Sequence, residues 1–371
     1  MKEYNDIINL KEKKKFDDKR NYGIDLLRIF SMINIIILHI NLCSEQLKLN
    51  INNKKFKPIW RLEAIAYFPV DCFGLISGVV GYKKYKFSNL IYIWINTSFY
   101  SSIFSLFLYQ INRINIKDMI LSFFPILTKR SWYITAYFSL YLFIPLLNLG
   151  INYLNRKIYR NLIIFFILFF SFYYIIGFIL NVNKDFIFLN DGYSSHWLII
   201  LYIIGGYLGK YIIINKKNIN SIYIIIYLFI YLLSAFISSE LFFILIKMNS
   251  YISNKQLLIN YLSPTILFEA LSLLMIFSKL SINNKFIIKI ITFFTPLTLN
   301  ITLLHWRIFC EKFITFNWIN KIKPNKICIA IYLFGLILYI FCGLIDYLRS
   351  ILFKFLKVKQ FCLFIENKFS K

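Results

Sequence analysis

An all-α, polytopic integral membrane protein of about ten transmembrane helices is predicted by three features of this sequence. The 371 residues are 59% hydrophobic and 20% aromatic, with only 12 Gly and 7 Pro. The mean hydropathy of +0.63 is well above a soluble chain's balance. Several apolar runs approach or exceed the roughly 18 to 20 residues that cross a hydrocarbon core of about 30 Å. Finally, Lys and Arg sit between these runs and do not gather in one basic domain.

Apolar runs between charged or Asn-rich connectors predict helices near 24–42, 62–82, 90–110, 132–150, 161–180, 196–214, 221–246, 257–278, 287–310 and 327–346. The weakly apolar piece at 119–127 carries Pro125 and is too short to span, so it is read as interfacial or re-entrant. The polar, Lys-rich start is followed by an apolar run without a small-residue cleavage site, which reads as an uncleaved signal anchor. With the N-terminus inside, the cytoplasmic segments carry more Lys and Arg than the external ones, and an even number of spans puts both termini in the cytoplasm. The expected organisation is a basic tail at 1–22, a ten-helix membrane unit at 23–346 and a second basic tail at 347–371.

The net charge of +26 therefore points to membrane lipids with anionic headgroups as a partner, and no nucleic acid partner is expected. Cys43, Cys72, Cys310, Cys328, Cys342 and Cys362 form no CxxC or zinc-ligand spacing and read as packing residues. No Walker loop, dinucleotide fingerprint or matched pair of broken helices suggests a pump or an inverted-repeat transporter.

An ionisable side chain at the bilayer centre costs about 2.5 to 3.5 kcal/mol on insertion scales, so each needs a partner, a cavity or a purpose. Those noted here are Arg28, His39, Asp71, Glu269, His305 and Arg307, with His196 at an interfacial helix start. Arg28 and His39 lie eleven residues apart, about three turns and roughly 16 Å, and share one helix face. Snorkelling of Arg28 and a simple interhelical bond from His39 is the plainer reading. Asp71 is read as orienting a histidine or as pairing with Arg28. It precedes Ser77 and Gly78, small residues that admit a neighbouring helix or a ligand. His305 and His39 both fall toward the outer ends of their helices and are expected to approach one cavity. With three histidines in the chain and no carboxylate at ligand-like spacing, no metal is expected. Trp132, Tyr133, Tyr137, Tyr193 and Trp197 read either as an interfacial aromatic belt or as a platform for sugar rings.

Several segments, in order, resemble the acyltransferase 3 family of membrane O-acyltransferases, in particular stand-alone types that modify bacterial surface polysaccharides. They are the run from Tyr22 through Arg28 to His39, Val70-Asp71-Cys72-Phe73-Gly74-Leu75-Ile76-Ser77-Gly78, Ser131-Trp132-Tyr133 through Tyr137 with Pro145 to Asn148, Gly192 through Gly205, and Pro296 through His305. The third helix departs from the family by offering Lys83, Lys84 and Lys86 in place of an arginine-rich opening.

The resemblance implies a multi-pass protein of the bacterial cytoplasmic membrane. It would carry an acetyl or other short acyl group from cytoplasmic acyl-CoA, with acetyl-CoA as the donor substrate, to a hydroxyl of a glycan or lipid-linked sugar acceptor. On this expectation Arg28, Lys83, Lys84, Lys86 and Ser77 contact the donor. His39 is base or acyl carrier, with Arg28 and Asp71 completing the catalytic set, and His305, Trp132, Tyr133 and Tyr137 meet the acceptor. The alternative from another class is a flippase or polymerase of lipid-linked glycans, using the same cations on a pyrophosphate.

Overall fold

The computed structural model describes residues 20–83, 85–128, 131–179, 188–213, 221–248, 256–310 and 313–369. Within them the regular structure is helical and no strand occurs. Among the described residues nine helical stretches are long and apolar enough to cross a membrane, and Pro264–Ser278 is a shorter apolar helix beside them. These correspond to the ten expected runs. The second comes as two helices, because Pro69 lacks the N–H that would continue the preceding turn. The eighth is shortened, since its first residues form turns and Pro264 then opens the helix.

The helices are α1 (Tyr22–Cys43), α2 (Phe56–Ala66), α3 (Pro69–Gly81), α4 (Phe87–Gln110), α5 (Ile116–Leu121), α6 (Trp132–Tyr153), α7 (Arg156–Gly177), α8 (Ser195–Ile213), α9 (Ser221–Lys247), α10 (Pro264–Ser278), α11 (Lys285–Phe294), α12 (Thr298–Cys310), α13 (Ile327–Phe355) and α14 (Val358–Phe369). The short α5 and the turns after it cover the run at 119–127 that was too brief to span.

The central helix is α1, which packs against α2, α3 and α10 to α13. Its first turn is fixed by Asn21, whose side-chain oxygen accepts from the Gly23 and Ile24 N–H groups and whose amide donates to the Ser278 carbonyl at 2.7 Å. The peripheral helices turn apolar side chains outward. Ile222, Ile225, Phe229 and Phe236 of α9 are exposed, as are Ile329, Leu333 and Ile337 of α13. Such faces suit a solvent of lipid tails, in which helices associate by close packing and polar contacts.

Close packing is most evident where α3 meets α8. Gly74 and Gly78 are spaced four apart on α3, and Gly205 and Gly209 repeat that spacing on α8. A Cβ on Gly78 would lie 2.1 Å from the Tyr202 carbonyl oxygen, and one on Gly205 would lie 2.0 Å from that of Leu75. Neither backbone can yield. Gly78→Ala is expected to destabilise the detergent-solubilised protein by roughly 1 to 3 kcal/mol. Gly150→Ala, where an added Cβ meets nothing within 4 Å, should leave the melting temperature unchanged or slightly raised. Equal melting of the two variants would contradict the packing argument.

Polar contacts tie α4, α12 and α13. Asp346 Oδ1 accepts from the Tyr100 hydroxyl and from Arg349 Nε at 2.6 Å, while Oδ2 accepts from Asn300 Nδ2 at 3.2 Å. Arg349 Nη1 donates to Asn96 Oδ1 at 2.7 Å. Both charged side chains are buried. Removing one partner leaves the other charge uncompensated, so Asp346→Ala should cost about 3 to 5 kcal/mol. The check is a lower melting temperature with loss of monodisperse protein in gel filtration. The expected boundary at 346 falls inside α13, which continues to Phe355, and α14 then folds back against α4.

Candidate functional site

A cavity of about 1260 Å³ runs beside α1, lined along that helix by Arg28, Met32, Ile35, Leu38, His39 and Leu42. This is the 3.6-residue stripe that the Arg28 and His39 spacing requires, so the two residues do share one cavity-facing side. The volume exceeds the roughly 300 to 1,000 Å³ of an ordinary small-molecule pocket.

At the His39 end, the His39 Nδ1 atom lies 2.8 Å from His305 Nε2, and His305 Nδ1 lies 2.7 Å from the Ile301 carbonyl oxygen. A carbonyl only accepts, so Nδ1 of His305 carries a proton. In neutral His305 the Nε2 atom is then an acceptor. His39 must therefore donate from its own Nδ1, which leaves the lone pair on its Nε2. His39 is partly exposed and lines the cavity, with its ring centroid 4.6 Å from that of the cavity residue Trp306. His305 is fully buried and is not among the lining residues. The expectation that His305 meets the acceptor is thus corrected: its ring stands behind His39.

Asp71 also lies elsewhere than expected. The lining face of α3 is Val70, Phe73, Ile76, Ser77 and Val80, and a step of about 100° carries Asp71 off that face. Its Oδ1 accepts from Trp197 Nε1 at 2.9 Å, and the side chain is fully buried. It neither orients His39 nor pairs with Arg28. Trp197 is likewise an interior residue of α8, so it belongs to neither a belt nor a platform. Glu269, fully buried on α10, has no hydrogen-bond partner for either carboxyl oxygen among the described residues. His196 is exposed and off the cavity.

At the other end Arg28 pairs with Asp25, which also accepts from Arg20. Lys86 lines the cavity, whereas Lys83 is exposed beside it and does not; Lys84 lies outside the described residues. Ser77 Oγ donates to the Phe73 carbonyl at 2.7 Å while facing the cavity.

Trp132, Tyr133 and Tyr137 all line the cavity. The Trp132 ring lies 4.6 Å from Tyr193, which lies 5.0 Å from Tyr261, and Tyr261 lies 4.7 Å from Tyr67. These rings form an aromatic wall near His39, with hydroxyls directed among them: Tyr67 and Tyr193 share a hydrogen bond at 3.1 Å.

Glu63 is a charged lining residue that sequence reasoning passed over. It is buried, and its Oε2 accepts from Asn41 Nδ2 at 2.8 Å. The helix predicted to begin at 62 put Glu63 at its very end, whereas α2 starts at Phe56. The signal available was a carboxylate four residues before Tyr67, on the same helical face. Among the described residues no three His, Cys, Asp or Glu side chains converge as a metal-ligand set.

The arrangement is thus an imidazole with a free lone pair, held in one tautomer, at one end of a membrane-embedded cavity, with cations at the other. Residues 21–348 match the family model for the acyltransferase domain. The chain belongs to the acyltransferase 3 family. No curated protein and no solved structure matches it. Membership makes this acyltransferase a membrane enzyme that moves acyl groups, and the flippase or polymerase reading has nothing comparable in its favour.

Proposed function

We propose that this acyltransferase carries an acetyl or other short acyl group from cytoplasmic acyl-CoA to a hydroxyl of a cell-surface polysaccharide or of its lipid-linked precursor, in the bacterial inner membrane. The observation that carries this reading is the ordered chain from the Ile301 carbonyl through His305 to His39, which leaves the lone pair on Nε2 of His39, a residue of the cavity wall.

The donor enters with its phosphates toward Arg28 and Lys86, and its thioester reaches along the α1 face. The acceptor sugar lies against the aromatic wall, where flat rings meet the apolar faces of a pyranose and Tyr hydroxyls meet its polar edge. His39 Nε2 takes the proton of the attacking hydroxyl as its oxygen bonds to the thioester carbonyl carbon. The C–S bond then breaks, an ester remains on the sugar, and the leaving thiolate takes the proton back from His39. While the imidazolium exists, its Nδ1–H bond to His305 is charge-assisted and stronger than in the resting state, which lowers the barrier selectively. Glu63 beside Asn41 offers an acceptor for further sugar hydroxyls.

The test is to incubate purified protein with labelled acetyl-CoA and surface polysaccharide from a deletion strain. Label should appear in the glycan as a base-labile ester, and the deletion strain's polysaccharide should be lighter than its parent's by the mass of acetyl groups. Unlabelled glycan, with lipid-linked sugar accumulating in the mutant, would instead support translocation.

A further inference from the structure

The residues after the family match contribute to the same cavity. Lys359 and Leu363 of α14 line it, together with Arg28 of α1 and with Lys86 and Ser88 at the start of α4. Lys359 and Leu363 are four residues apart, so one face of α14 turns toward the opening.

The chain is brought there by specific contacts. Lys357 adopts a left-handed conformation, φ +53°, which breaks the run of α13 and lets α14 return. Cys362 is buried against the bundle. Phe369 packs edge-on to Phe87, with centroids 6.1 Å apart. Glu366 accepts from the Ser88 hydroxyl and from the backbone N–H groups of Phe87 and Ser88, and these bonds hold its carboxylate below the usual range. Those N–H groups belong to the first turn of α4, where unsatisfied donors and the helix dipole favour an anion. The docking of α14 on α4 is therefore a built interface.

Three cations from three separate segments consequently surround one opening. Arg28 already has Asp25 as a partner and Lys86 acts on the Glu366 carboxylate docked at the start of α4, whereas Lys359 is an exposed cation on the same cavity. Clustered cations on one rim repel one another and are favoured when a polyanion bridges them. Resting on the donor assignment above, we propose that α14 completes the donor site, with Lys359 and Lys86 binding the phosphate groups of acyl-CoA and Leu363 flanking the arm that enters the cavity. Lys359 then replaces Lys83 among the donor contacts expected from sequence.

The full-length protein in nanodiscs tests this with two donors, acetyl-CoA and phosphate-free acetyl-pantetheine. Loss of one charge-assisted contact should raise KM for acetyl-CoA about tenfold or more in Lys359→Glu, with kcat little changed. KM for acetyl-pantetheine should stay at the wild-type value. Lys354→Glu, an exposed charge away from the cavity, serves as control and should change neither. Should Lys359→Glu disturb folding, Lys359→Gln keeps the size while removing the charge and should shift KM in the same direction. An unchanged acetyl-CoA KM in a folded Lys359 variant, or equal shifts for both donors, overturns the proposal while leaving the catalytic reading intact. Wild-type protein that neither binds nor turns over acetyl-CoA overturns that reading, and this inference with it.

Discussion

His39→Ala is expected to abolish acyl transfer while the protein's level in the membrane stays at that of wild type. A sugar hydroxyl is a weak nucleophile at neutral pH, and a positioned base is worth about 10² to 10⁴ in rate. The thioester supplies its own leaving group, so the base is the part the protein must furnish. His39 is the one imidazole lining the cavity among the described residues. Its loss also strands His305 Nε2 without its donor, and an unsatisfied buried acceptor costs about 1 to 3 kcal/mol. His39→Asn therefore belongs beside the alanine variant, because its amide can still donate toward His305 while offering no basic nitrogen at the position of Nε2. Both variants should be present in membranes, monodisperse in detergent, and inactive with labelled acetyl-CoA. Transfer at the wild-type rate by either one removes His39 from the chemistry. An acid quench of wild-type protein with labelled donor and no acceptor separates two roles for the same lone pair: label on the protein marks an acyl carrier, and its absence marks a base.

The sequence carried the axis of this site because a helix has a fixed period. Arg28 and His39, eleven residues apart, had to share a face, and the structure places both on one cavity. Gly78 likewise signalled a close neighbour, which proves to be the backbone of α8. What failed was the azimuth of single residues around short helices. Asp71 looked catalytic as a carboxylate near Ser77, yet one residue's rotation turns it away from the cavity to Trp197. Nothing in a single sequence states which side of α3 meets solvent when apolar residues surround it. Helix ends were the other source of error. Stopping the last span at 346 concealed the Asp346 and Arg349 pair and made Lys359 a residue of a solvated tail. Starting the second at 62 left Glu63 at a helix end, where it was not weighed. Asp25 was passed over for another reason: it stands in the first turn of α1, where an acidic residue is ordinary, although its place three residues before Arg28 on the same helix was a local pairing the spacing allowed.

The second large effect concerns His305, which the geometry makes a positioning residue. Deep in α12, it touches His39 and the Ile301 carbonyl but does not line the cavity. Its contribution is to fix which nitrogen of His39 carries the proton and which way the ring faces. Without that acceptor, His39 takes either tautomer and rotates about its side-chain bonds, and a misplacement near 1 Å costs about 10²-fold in rate. His305→Phe preserves a flat ring in the buried site but removes both hydrogen bonds, so kcat should fall about a hundredfold. KM for both substrates should stay near wild type, because neither touches this residue. His305→Gln discriminates orientation from packing: its Oε1 reaches the former position of Nε2 and can accept from His39 Nδ1. If tautomer control is the role, the glutamine variant recovers a substantial part of kcat that phenylalanine does not, at comparable thermal stability. A purely structural histidine would order the variants by melting temperature, with KM and kcat falling together. If His305 instead bound the acceptor, the loss would appear first as a raised acceptor KM, and glutamine would offer no selective rescue of kcat.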